Sequence, residues 1–228
     1  VKGILYGVGV GPGDPELLTL KAVRVMHECT VIAAPDSGAG ETVALRIAQE
    51  HIRGKEVLLC KLPMTKDEVE LAESRRKAAG KLCGQLEQGK DVAFLTLGDP
   101  SVYATYSYLH RLVVEAGYQA VMVPGITSFC AAAATLGEPL CEGDEPLHIL
   151  PAAYPALERE LDTEGCKVLM KMGKSLDQTL SLLNSKGLTG NASLVERCTM
   201  PEEKVYRDIT GSRPQAGYFS VVIVRGDC

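Results

Sequence analysis

The chain has 228 residues, 46% of them from the hydrophobic set and 23% charged, which excludes an intrinsically disordered chain and a disulfide-dependent miniprotein. Its formal charge of −5 gives no global basic field of the kind that drives non-specific nucleic-acid binding. No apolar run reaches the roughly 18 residues of a membrane span, and the opening VKGILYGVGV reads as a strand, so no nucleic-acid or membrane partner and a cytoplasmic location are expected.

Apolar runs bounded by glycine or proline alternate with segments of helical period, the pattern of a parallel sheet covered by helices. Strands are predicted over Gly3–Val10, Thr30–Ala34, Glu56–Cys60, Asp91–Leu97 and Gln119–Val123. Helices are predicted between them over Pro15–Glu28, Glu41–Arg53, Lys66–Gln88 and Ser101–Ala116. After Pro124-Gly125 the pattern changes. A small-residue helix, Ser128–Leu136, leads into GEPLCEGDEP, and strands follow over Leu147–Leu150, Lys167–Lys171, Ala192–Glu196, Lys204–Asp208 and Tyr218–Val224. The short connections among the last three predict antiparallel pairing. The fold class is therefore α/β, with two α/β domains: residues 1–124 carry a mostly parallel sheet and residues 125–228 a mixed one. GEPLCEGDEP is the competing boundary.

The eight cysteines, Cys29, Cys60, Cys83, Cys130, Cys141, Cys166, Cys198 and Cys228, form no CxxC pair, and His27, His51, His110 and His148 are equally scattered. No metal site is expected, and the thiols read as reduced and mostly buried.

Three turns carry the candidate chemistry. GVGVGPGDPELLTLKA, residues 7–22, has the strand-turn-helix shape of a dinucleotide site, but the third glycine of GxGxxG falls on Pro12 or Asp14. Proline lacks an N–H and aspartate repels phosphate, so the turn suits a non-phosphorylated ligand, with Asp14 as helix N-cap and Pro15 as first helical residue. GQLEQGKD, residues 84–91, lacks the magnesium-binding hydroxyl of a P-loop, and Gly89 reads as a helix C-terminal glycine. In DVAFLTLGDPSVYATYSYL, residues 91–109, a strand ends at Gly98-Asp99-Pro100. Asp99 is either the N-cap of the next helix or an acceptor for ligand hydroxyls or a cation. Tyr103, Tyr106 and Tyr108 follow at mixed spacing, so at least one must leave the core face. In VPGITSFCAAAA, residues 123–134, Thr127 and Ser128 form a hydroxyl pair at a helix start.

Taken together, GVGPGDPELLT, LTLGDPSVY and VPGITSF, in this order, resemble the tetrapyrrole methylases, and the likeness covers essentially the whole chain. Within that family, PDSGAGETVALRIA, LPMTKD, LGDPSVYATYSYL and PGITSFCAAAATLGEPLCEGDEPL look most like the precorrin-2 C(20)-methyltransferases of cobalamin biosynthesis, including the cobalt-precorrin-2 branch. The resemblance implies two α/β domains with a cleft between them, S-adenosylmethionine as methyl donor with S-adenosylhomocysteine as product, a tetrapyrrole substrate and a homodimer. Carried over by position, it implies donor contacts from Pro12, Leu97, Gly98, Asp99, Val102, Thr127, Ser128 and Met172, and from Cys198, where relatives often have glycine. Leu97 also stands where glycine is frequent, which implies a backbone contact.

Methyl transfer from a sulfonium to an electron-rich carbon is an in-line displacement, which requires two ligands held in attack geometry and water excluded. The nucleophile belongs to the substrate, so no catalytic side chain is assigned, and none of the nucleophile or paired-carboxylate patterns occurs. Precorrin-2 is a polycarboxylate, and Lys171 and Arg197, with Lys174, Arg75, Arg76 and Arg111, are the candidates to meet it. Rival readings are a methylase of the same superfamily acting on another precorrin carbon, on a modified histidine of a translation factor or on ribosomal RNA. A non-catalytic S-adenosylmethionine-binding module and a nicotinamide dehydrogenase complete them, the latter disfavoured by the failed glycine fingerprint.

Overall fold

A computed structural model describes residues 1–36, 42–211 and 219–226, with the side chain of Lys174 left aside. The chain forms two compact units, Val1–Thr127 and Ser128–Cys228.

The first unit holds five strands, β1 (Ile4–Gly9), β2 (Val31–Asp36), β3 (Glu56–Lys61), β4 (Val92–Thr96) and β5 (Gln119–Val123), in the order β3-β2-β4-β1-β5. All neighbours are parallel. The run VAFLT of β4 is buried at every position because helices cover both faces of the sheet, as an all-parallel sheet requires. On one face, α1 (Leu20–Glu28) and α2 (Val43–Ala48) pack Val25, Met26, Ile47 and Ala48 against Val8, Ile32, Ala93 and Leu95. On the other, α3 (Glu68–Glu87) and α4 (Tyr106–Glu115) pack Leu82, Leu86, Tyr106 and Leu109 against Leu5, Ala33, Val92 and Phe94. The connections leaving β1 and β4, which are neighbours, thus go to opposite faces. That makes the space beyond their carboxyl ends the topological switch point of the sheet, where open α/β sheets bind ligands.

The second unit has strands β6 (Leu147–Pro151), β7 (Cys166–Met170), β8 (Ala192–Glu196), β9 (Lys204–Tyr206) and β10 (Ser220–Val224) in the order β6-β7-β10-β8-β9. β6 and β7 are parallel, and the other pairs are antiparallel. β7 and β8 flank β10 and run the same way, so their carboxyl ends emerge at one edge. Helices α5 (Ser128–Leu136), α6 (Leu157–Glu160) and α7 (Leu176–Ser185) complete the unit, and Leu157, Leu176 and Leu183 pack on Leu169, Leu194 and Val222. Among the described residues no helix is long and apolar enough to cross a membrane.

Several boundaries differ from the sequence reading. Asp14 caps only a single 3-10 turn, Pro15–Leu17, its Oδ1 accepting from the Glu16 N–H at 2.8 Å. Extended backbone at Leu18 then interrupts the helix, and α1 starts afresh at Leu20 under the Thr19 hydroxyl, which accepts from the Ala22 N–H. The second helix is shorter than Glu41–Arg53; Val43–Ala48 passes into a 3-10 turn over Gln49–His51, and Glu41 lies outside the described residues. The fourth begins at Tyr106, not Ser101, with Thr105 at its N-cap position. β9 stops at Tyr206, and the predicted start of the last strand, Tyr218, lies outside the described residues. Antiparallel pairing near the end of the chain holds, although β9 and β10 both pair with β8 and not with each other. Gly89 does end α3, with φ 76° and its N–H bonded to the Leu86 carbonyl.

The tyrosine series divides as its spacing predicts. Tyr106 is fully buried, its hydroxyl donating to the Val121 carbonyl at 3.3 Å, while Tyr103 and Tyr108 are exposed. The Tyr106 ring fills the space a side chain at Gly7 would need: a Cβ there would lie 2.1 Å from Cε1. Gly7→Ala is expected to destabilise the protein by about 1–3 kcal/mol, the scale of core overpacking, and to cost measurably less in a Tyr106→Leu background. Chemical denaturation of the four proteins of this cycle measures the coupling.

Candidate functional site

The first group of predicted residues lies at the switch point of the parallel sheet. Beyond β1 and β4 the chain makes one isolated antiparallel bridge: the Gly98 N–H donates to the Gly11 carbonyl at 2.8 Å, and the Gly11 N–H to the Gly98 carbonyl at 3.3 Å. Both residues have positive φ, 77° and 70°, so glycine suits each place. A third turn, after β5, presses against them. A Cβ on Gly125 would lie 2.2 Å from the Gly98 carbonyl oxygen, and a Cβ on Gly9 2.6 Å from the Gly125 nitrogen. Backbone therefore meets backbone at the ends of β1, β4 and β5, and no side chain intervenes.

Asp99 fastens this arrangement. Its Oδ1 accepts from the Ser101 N–H at 2.8 Å and from the Ser101 hydroxyl, and its Oδ2 accepts from the Gly125 N–H at 2.9 Å. It is not the N-cap of the following helix, which starts seven residues later at Tyr106. The Thr19 hydroxyl adds a longer tie to the Pro124 carbonyl, at 3.5 Å. Around this rim, Pro12 and Gly98 are buried, Leu97, Asp99, Val102 and Thr127 are half-buried, and the Thr127 hydroxyl is shielded from water without a hydrogen-bond partner. Such a group is costly to leave unmet.

The second group lies at the carboxyl ends of β7 and β8. Lys171 and Arg197 leave these strands with φ 56° and 48°, the left-handed region that non-glycine residues rarely occupy and that clusters at functional sites. The two unusual residues turn the following side chains inward: Met172 is 0% exposed and Cys198 is buried. Burial pushes the Cys198 thiol up to about 11, so it is a neutral wall and not a nucleophile near pH 8. Its Sγ lies 3.6 Å from the Thr135 hydroxyl of α5. Lys171 is exposed along its length, yet desolvation around its ammonium holds its pKa below the usual lysine value. Arg197 is exposed and pairs with Glu202 at 3.4 Å, a contact of small energy. Ser128 begins α5 in this unit.

The other described basic candidates lie on helices of the first unit. Arg75 of α3 lies over the ring of Tyr108, 3.6 Å from its centroid, while Arg76 on α3 and Arg111 on α4 are exposed. A cavity of about 780 Å³ opens at the opposite edge of the second sheet, by the start of β7 and the end of β10. Five carboxylates, Glu142, Asp144, Glu145, Asp162 and Glu164, line it against two cations, Lys167 and Arg225, which suits it poorly to a polycarboxylate. Among the described residues, no three His, Cys, Asp or Glu side chains gather as a metal site would need. Seven described cysteines are free thiols, and Cys29, Cys60, Cys166 and Cys198 among them are buried.

The family model for the tetrapyrrole (corrin/porphyrin) methylases matches residues 4–211. The chain belongs to this family. It is 34% identical over 236 residues to the cobalamin biosynthesis protein CobIJ of Mycobacterium bovis, covering 99% of this chain and 46% of that protein. The chain thus spans about half the length of that relative. It is 31% identical over 231 residues to the cobalt-precorrin-2 C(20)-methyltransferase of Salmonella typhimurium, covering 98% of this chain and 97% of the relative. Among solved structures, the uroporphyrin-III C-methyl transferase of Thermus thermophilus in complex with S-adenyl homocysteine superposes with a TM-score of 0.73 at 22% identity, over 97% of each chain. That likeness carries the fold of this tetrapyrrole methylase: one all-parallel and one mixed sheet.

Sequence reasoning passed over Gly9 as a packing partner and gave no role to Glu196, which ends β8 with its Oε1 buried and without a hydrogen-bond partner. The signal for Glu196 was present, since a lone carboxylate closes the apolar strand ASLVE. Asp99→Ala is expected to lower stability by about 1–3 kcal/mol, because it leaves the Gly125 and Ser101 N–H groups without their acceptor. Denaturant titration measures this; an unchanged midpoint would show that the three turns hold together without the carboxylate.

Proposed function

We propose that this chain is an S-adenosylmethionine-dependent methyltransferase acting on carbon 20 of precorrin-2 or cobalt-precorrin-2 in cobalamin biosynthesis. The observation that carries the reading is the rim of the first unit, where the turns at Gly9, Gly98 and Gly125 pack backbone to backbone and the buried Thr127 hydroxyl has no partner, at the edge where such sheets bind ligands. The names of the relatives point the same way.

The residues present fit the donor. The glycines let the three turns close on one another without side chains between them, and Thr127 supplies a buried hydroxyl in need of a partner. In this reading Pro12, Leu97, Gly98, Asp99, Val102, Thr127 and Ser128 hold the donor, Leu97 through its backbone. Met172 and Cys198 contribute an apolar, uncharged surface for the adenosine, free of an ionised thiolate. Asp99 acts first by fixing the rim, with its remaining lone pairs left for ligand hydroxyls. When bound, the donor supplies an electrophilic methyl group on a sulfonium. The protein's own part is to orient both ligands and exclude water.

Lys171 and Arg197 are assigned to the substrate's carboxylates. Their left-handed backbones hold cations at one edge of the second sheet, and cations of this kind pair with carboxylates. We further infer a homodimer, which light scattering tests, and a cytoplasmic location, which the free thiols suit.

The test is a methyl-transfer assay with isotopically labelled S-adenosylmethionine, offering precorrin-2 and cobalt-precorrin-2 side by side without oxygen and locating the new methyl by NMR. Label at carbon 20 is the expected result, and the faster substrate names the branch. Donor binding without transfer to either would turn the reading toward another acceptor or a binding module. In the same assay, replacing Lys171 and Arg197 together by alanine is expected to raise the substrate KM at least tenfold with donor affinity unchanged; an unaltered KM removes both from the substrate site.

A further inference from the structure

Glu196 closes β8, and at 7% exposure it is more than nine-tenths buried. Its Oε1 has no hydrogen-bond partner, and among the described residues no ion pair reaches its carboxylate. Lys204 stands directly across in register on β9, and Ser220 on β10, yet no bond to either neutralises that oxygen. A carboxylate taken out of water with an oxygen unmet is destabilising, and a bound donor group would relieve that cost.

Its surroundings restrict what that ligand can be. Strand alternation puts Glu196 on the same face as Leu194 and Ala192, the face that packs with Met172 and Leu176. Two residues on is Cys198, a thiol kept neutral by burial. A polycarboxylate would be repelled here. The two oxygens of Asp99, the other carboxylate of the candidate set, already accept from Ser101 and Gly125. Glu196 therefore offers an unused anionic acceptor at the carboxyl end of β8, on the face that packs with Met172, one of the residues assigned to the adenosine.

We propose that Glu196 is a donor-binding residue whose carboxylate accepts a hydrogen bond from an N–H group of the methyl donor. This rests on the reading of the chain as an S-adenosylmethionine-dependent enzyme and assigns that site a recognition residue. The donor has two such groups, the exocyclic amine of adenine and the ammonium of the methionine part, and either meets the same chemistry.

The experiment is calorimetric titration of the wild type, Glu196→Gln and Glu196→Ala with three ligands. These are S-adenosylhomocysteine, S-inosylhomocysteine, whose base lacks the exocyclic amine, and the analogue lacking the α-amino group. Glu196→Ala is expected to weaken S-adenosylhomocysteine at least tenfold and Glu196→Gln, which keeps volume and one acceptor oxygen, by less. The loss should shrink to under twofold for the one analogue missing the N–H that Glu196 reads, which identifies the group. Equal losses on all three ligands, or affinity within twofold of wild type for both variants, would overturn the proposal while leaving the function standing. Failure of the wild type to bind S-adenosylhomocysteine would overturn both. Thermal unfolding of each variant separates the outcomes from misfolding, since relieving a buried unpaired carboxylate should not lower the melting temperature.

Discussion

The structure of the first unit turns on the direct contact of three backbone turns. Gly9, Gly98 and Gly125 follow or end three neighbouring strands, and each lies closer to the next than any side chain would allow. A parallel sheet leaves its carboxyl edge without regular pairing, so polar backbone groups there must find partners in the loops. Here the Gly11–Gly98 bridge satisfies part of that demand, and the Asp99 carboxylate answers the Gly125 N–H that remains. The rim is thereby held by backbone contacts and one carboxylate clasp.

The two sheets solve the positioning of side chains differently. In the first, the all-parallel order and buried strands fix where the turns emerge, and glycine sets how near they come. In the second, β10 runs between β7 and β8 and brings their carboxyl ends to one edge. Lys171 and Arg197 leave those strands in left-handed backbone, each exposed, while the Met172 and Cys198 that follow them are buried. An unfavourable local conformation is offset by packing that over-determines it, and the result is a neutral surface bordered by charge.

Charge within these groups is distributed economically. Asp99 is engaged by hydrogen bonds inside the protein, and Arg197 is paired with Glu202 at the surface. The Cys198 thiol is held neutral by burial. Glu196 alone among the described carboxylates combines deep burial with an oxygen that no protein group meets. Polar groups left so are uncommon in folded chains, which is the ground for proposing a ligand as its partner.

Much of the fold was legible along the chain because strands buried on both faces read as unbroken apolar runs, as in VAFLT, and because glycine and proline punctuate their ends. The glycine turns, Gly98-Asp99-Pro100 and Thr127-Ser128 were legible for the same reason: they are contiguous motifs with a local conformational demand. What the sequence by itself determined was therefore the alternation of elements, the helix-ending Gly89 and the family to which the turns belong. Where helices start was less legible, since Asp14 and Asp99 have the chemistry of N-caps and the structure uses one for a 3-10 turn and the other to clasp a turn 26 residues away. Tertiary structure alone decided the Gly9–Gly125 contact, the insertion of β10 between β7 and β8, and the isolation of the Glu196 carboxylate. Each depends on groups distant in sequence, whose pairing or lack of it is fixed only when the sheets close and water is excluded.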